Sequence, residues 1–165
     1  MKKKSTYVLT ISEYFPQTHA RKGQKTNFAH LITEGMKDYT DDAPLGDADK
    51  SRIKIHTIRG NYELWAKRAK KINAGEAVLS VRCWTGKPYQ TKQRELFVFE
   101  KIGVEKLEDP TNFVYATVDG KVVDWGELAK NDGLSFVDFC EWFKVRSTEP
   151  MAIIHFSNFR YNHGS

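Results

Sequence analysis

"IKIHTIRGNYELW", residues 53–65, is the stretch on which the reading of this chain turns. In its first half Ile53, Ile55 and Ile58 are interleaved with Lys54, His56, Thr57 and Arg59. β-Branched residues among polar ones predict a strand over 52–58. The second half changes period. Tyr62, Trp65, Ala69 and Ile72 recur at helical spacing and predict an amphipathic helix over 61–72. Lys67, Arg68, Lys70 and Lys71 crowd its other side and last turn, where the helix dipole favours cations. Four polar side chains in one short strand either make an ordinary polar face or converge on something.

The flanking sequence predicts further short elements. "TYVLTIS" (6–12) is a first strand and 14–26 a basic loop. "NFAHLITEG" (27–35) is a short helix, with Asn27 as N-cap and Gly35 as C-cap. Residues 36–51 form an acidic surface loop rich in Asp, Pro and Gly. Strands are predicted over 76–84 and, with a break at Gly103, over 94–108. Residues 113–125 form a hairpin turning at Asp119-Gly120. "SFVDFCEWF" (135–143) is a helix in which Ser135 and Asp138 make a capping box, and 151–159 is a last strand. Short strands in non-periodic order with a few short helices predict an α+β class and a small mixed barrel.

At 165 residues, 40% hydrophobic and 13% aromatic, the chain suits one globular domain over 1–165. No apolar run approaches the roughly 20 residues of a membrane helix, so no membrane partner is expected. The basic N-terminus does not read as a signal peptide, and Cys83 and Cys140 are far apart, which points to the cytoplasm. His19, His30, His56, His155 and His163 lack ligand spacing, so neither a metal nor another cofactor is expected.

The net charge of +5 is unevenly placed. Residues 50–94 hold twelve Lys and Arg against Glu63 and Glu76, while 95–149 hold twelve acidic residues against six basic ones. A strongly basic middle suggests a phosphate-bearing partner, the alternative being charges spread over several solvated faces. Within it, "RCWTGKPYQTKQR" sets Trp84 and Tyr89 among Arg82, Lys87, Lys92 and Arg94. Aromatics among cations suit single-stranded nucleic acid, whose bases stack while its phosphates pair. His56, beside Thr57, joins these as a candidate contact to a base or phosphate, or is a hydrogen-bonded structural histidine.

A helix ending at Gly35, then "KIHTIR", a basic turn, "INAGEAVLSVR", the late helix "NDGLSFVDFCEWF" and "AIIHFS" together resemble the ASCH domain of the PUA-like superfamily. Lys54, Thr57 and Arg59 fill its Lys–x–x–Thr–x–Arg element. The resemblance implies a PUA-like mixed β-barrel with peripheral short helices and a cleft lined by these residues. It also implies RNA-linked roles: binding of RNA or a nucleotide-like ligand, or hydrolysis of N4-acetylcytidine or of RNA. In the amidohydrolase branch the catalytic roles fall on Lys54, Thr57 and Asp138. Lys37 competes with Lys54 for the lysine role, because the loop 36–51 separates it from the motif.

Such a hydrolase needs a nucleophile, a base and oxyanion stabilisation. Thr57 would attack, a desolvated Lys54 would take its proton, Arg59 would hold an oxyanion or phosphate, and Asp138 would relay a proton. In a regular strand Lys54 and Thr57 face opposite ways, so they converge only across a bulge or if Lys54 precedes the strand. Without convergence Thr57 is a packed β-former, Lys54 a solvated edge residue and Asp138 a helix-capping acid. A third class is a regulatory protein-interaction domain without catalysis.

Overall fold

The computed structural model describes residues 3–38, 53–108, 115–143 and 149–162. Within them the chain is mixed α+β, with eight strands in two sheets and four helices. The first sheet contains β1 (Ser5–Thr10), β3 (Ala77–Trp84) and β4 (Gln93–Phe99), with β3 central, parallel to β1 and antiparallel to β4. The second is antiparallel, ordered β2 (His56–Arg59), β8 (Met151–His155), β5 (Gly103–Glu108), β6 (Tyr115–Val118) and β7 (Lys121–Asp124). Among the described residues no pairing joins the two sheets into a closed barrel. No described helix is long and apolar enough to cross a membrane.

Helix α1 (Phe28–Asp38) buries Phe28 and Ile32, and α2 (Tyr62–Asn73) buries Trp65, Ala69 and Ile72. These residues join Leu79, Val81, Leu128, Ile153 and Ile154 in one core. The predicted stripe of α2 is the buried one. Asn61 caps it, taking a left-handed conformation (φ 64°) while its side chain accepts from the Leu64 N–H. The Asp119-Gly120 turn has positive φ at both residues, the geometry that suits the twist of a hairpin.

Four expectations are corrected. Gly35 does not end α1, which runs to Asp38. Gly35 lies inside the helix because a Cβ there would stand 3.0 Å from the Lys54 carbonyl oxygen. Residues 94–108 are two strands in different sheets. The Asn73 side chain clamps the turn between them, donating to the Ile102 carbonyl at 2.8 Å and accepting from its N–H at 3.0 Å. At Gly103 the Arg160 guanidinium fills the space that a side chain would take. The strand predicted over 52–58 shortens to β2, which begins at His56. The segment before it is held by the Lys54 N–H donating to Leu31 O and the Ile55 N–H donating to Asn131 O. An unexpected helix, α3 (Trp125–Asn131), follows the hairpin, with the Asp124 carboxylate accepting from the Gly126 N–H as its N-cap. The predicted late helix is α4 (Phe136–Trp142), capped by Ser135. Of the acidic loop 36–51, residues 36–38 belong to α1 and the rest lie outside the described residues.

Gly35→Val is expected to destabilise the protein by about 1–3 kcal/mol, because its branches would push into the Lys54 backbone. Urea unfolding of the variant against the wild type checks this.

Candidate functional site

Lys54 is set by two close approaches. Gly35 lies against its carbonyl, and a Cβ on Gly133 (φ 79°) would stand 3.1 Å from its Cβ. Wedged there, the side chain is 2% exposed and needs a counter-charge. Asp132, at the end of α3, provides it. Lys54 Nζ donates to the Asp132 carboxylate at 3.0 Å and to its backbone carbonyl at 2.9 Å. The ammonium also lies 4.1 Å from the centre of the Phe28 ring. Burial lowers the proton affinity of Lys54, and Asp132 restores part of it. Asp132 stays below the usual carboxylate range although burial pushes it up, because Lys54 and His56 favour its charged form.

Lys54, Thr57 and Arg59 line one small cleft of about 20 Å³, with Asp132, Ser12, Phe28, Trp142 and Phe143. Lys54 and Thr57 share it because Lys54 precedes β2, which removes the alternation that would separate them. The Thr57 hydroxyl makes no hydrogen bond among the described residues. Arg59 donates from Nη2 to Thr10 O at 2.8 Å, but its Nε is buried without a partner. Burial also lowers the proton affinity of this guanidinium.

The other predicted residues lie elsewhere. Asp138 does not line this cleft. It pairs with Arg21, while His19 Nε2 donates to its backbone carbonyl at 3.1 Å, beside a neighbouring cleft that also holds Lys25 and His30. Only one arm of the predicted capping box forms, from the Asp138 N–H to the Ser135 hydroxyl. His56 is fully buried behind Asp132 and does not line the cleft. Trp84, Lys87 and Tyr89 stand at the tip between β3 and β4, where the Trp84 and Tyr89 ring centres are 5.1 Å apart and Tyr89 is 90% exposed. Arg82 is held by the Ser80 hydroxyl at 2.8 Å and by Glu95. The Lys37 side chain and His163 lie outside the described residues.

Asp132 is the acidic residue that sequence reasoning missed. The signal was present: an acid before a glycine, three residues ahead of the Ser135 cap. Without α3 and the Lys54 bridge, nothing distinguished it from the acids around it. No family model, curated protein or solved structure matches this chain.

Behind the cleft, His155 Nε2 donates to Glu105 at 2.7 Å. Burial pushes His155 down to about 4, against the pull of Glu105. The unfolded chain therefore binds this proton more readily, and stability is lost as pH falls from 6.5 towards 4. Unfolding free energy is expected to drop by about 2 kcal/mol between pH 7 and pH 5, and His155→Gln to flatten that slope. Urea titrations at the two pH values check this.

Proposed function

We propose that this chain is an ASCH-type module of PUA-like build that takes RNA or a nucleotide-like ligand in the Lys54–Thr57–Arg59 cleft. On this reading the two sheets correspond to the two sides of the family's barrel. The observation that carries the proposal is Arg59, which lines the cleft with a buried and unpartnered Nε. A buried donor without an acceptor costs free energy, and a phosphate or base carbonyl oxygen would remove that cost. The cleft would take a phosphate or the polar edge of a base, and the exposed Trp84–Tyr89 tip would stack on flanking nucleotides. Gln93, near that tip, donates to the Thr10 hydroxyl at 3.0 Å, while Arg59 donates to the Thr10 carbonyl, so one residue of β1 joins tip and cleft.

A second reading is favoured by the lysine–carboxylate pair in the same cleft as a threonine. As a hydrolase of N4-acetylated cytidine, Thr57 Oγ would attack the acyl carbon and Lys54, in its neutral form, would take the hydroxyl proton. Arg59 would hold the oxyanion, and the protonated amine of cytidine would leave. Water would then release acetate from Thr57. Asp132, rather than Asp138, would orient Lys54.

For binding, titration of single-stranded RNA is expected to show affinity that falls steeply with salt, and Arg59→Ala to weaken it about tenfold to a hundredfold. Affinity that ignores both salt and Arg59 would overturn the binding reading in favour of a protein-interaction domain. For hydrolysis, N4-acetylcytidine is incubated with wild type, Lys54→Ala, Thr57→Ala, Asp132→Asn and Asp138→Asn. Turnover lost at least about a hundredfold in the first three variants supports the second reading. Loss in Asp138→Asn alone moves the acid role to that residue, and no turnover by folded wild type leaves binding.

A further inference from the structure

The cleft is backed by a buried polar chain whose members beyond Asp132 neither reading uses. Asp132 Oδ1 accepts from Lys54 on one side and meets His56 Nδ1 at 3.3 Å on the other. His56 Nε2 lies 2.7 Å from the Tyr161 hydroxyl, which also accepts from Asn131 Nδ2 at 2.9 Å. Tyr161 comes from the segment after β8 and is itself held, since Glu105 accepts from the Tyr161 N–H at 2.8 Å and from the Asn162 N–H at 3.1 Å.

One set of hydrogen-bond directions satisfies every contact in this chain. Asn131 donates to the Tyr161 oxygen, so the phenol's own proton goes to the remaining neighbour, His56 Nε2. Nε2 is then the bare nitrogen, and Nδ1 carries the hydrogen. That is also what the Asp132 carboxylate requires, because a bare Nδ1 would set lone pair against lone pair. The Tyr161 and Asp132 contacts are thus both satisfied by one tautomer. Burial raises the Tyr161 phenol, which keeps its proton in place.

We propose that His56 is a positioning residue, locked by Tyr161 into the tautomer that donates to Asp132, so that the segment following β8 sets the carboxylate that holds Lys54 in the cleft. The functional consequence rests on the proposed reading of the cleft; the tautomer does not. A pairwise account of Lys54 and Asp132 leaves the carboxylate free to turn. With His56 fixed on the far side, Oδ1 is held between two donors, and the Lys54 amine is presented at one place beside Thr57.

The test uses the full chain with 15N-labelled histidine and lysine, the His56 signals being assigned by their loss in His56→Asn and the Lys54 signal by its loss in Lys54→Arg. At neutral pH the wild type is expected to show His56 protonated at Nδ1 and bare at Nε2. An Nε2-protonated ring or a doubly protonated one overturns the proposal. Tyr161→Phe removes only the hydroxyl, and is expected to release His56 into a mixture of tautomers and to reduce ligand affinity or turnover on the order of tenfold. An unchanged His56 pattern in that variant overturns the lock. His56→Asn, whose amide can donate near the Nδ1 position, is expected to preserve the 15N signal of the Lys54 ammonium, and His56→Gln to alter it. The reverse order overturns the role assigned to Nδ1. The spectra need no ligand, so a correct tautomer beside an inactive cleft would sink the proposed function alone.

Discussion

A lysine buried against an aspartate is the constraint around which the rest of this structure is arranged. Lys54 and Asp132 are both almost fully enclosed, and neither charge would be tolerated there without the other. Bringing them together takes Gly35 in α1, Gly133 after α3, and a stretch of chain before β2 that pairs with Asp132 rather than with a strand. Elements remote in sequence therefore meet at one ion pair. Removing one partner of such a pair typically costs about 3–5 kcal/mol, so the pair couples these elements to each other.

The arrangement also explains why two acids of similar sequence context have different neighbours. Asp132 closes α3 and faces the buried lysine, while Asp138 lies in the first turn of α4 and pairs with Arg21 of the basic loop. Each acid is buried beside its own cleft, and Leu134 lines both. Arg21, a cation of the basic loop 14–26, is thereby tied to Asp138 while its side chain stays 39% exposed.

Several charges of the basic middle are absorbed in the same way. Lys54 is enclosed, Arg59 is half-buried and donates to the Thr10 carbonyl, Arg82 is paired with Glu95, and Arg68 lies over the Tyr7 and Trp65 rings. Exposed positive charge remains on α2 at Lys67, Lys70 and Lys71, and at the β3–β4 tip at Lys87 and Lys92. A charge count along the chain gave the sign of the region, but packing decided which cations reach solvent.

The sequence by itself determined what depends on neighbours a few residues away. The apolar stripe of α2, the positive-φ turn at Asp119-Gly120, the Ser135 cap and the strand pattern of 76–84 are local, and each stands where it was read. Lys54, Thr57 and Arg59 were legible as a group because they lie within six residues. Asp132 was not, since its partner is 78 residues away and nothing local distinguishes it from other acids. Gly35 read as a helix end because sequence shows flexibility and not the carbonyl pressed against it. The split of 94–108 between two sheets, and the chain from Tyr161 through His56 to Lys54, likewise depend on long-range contacts. Only the tertiary structure decided these, because a buried charge, a close backbone approach and a hydrogen-bond direction are set by whichever group the fold brings alongside.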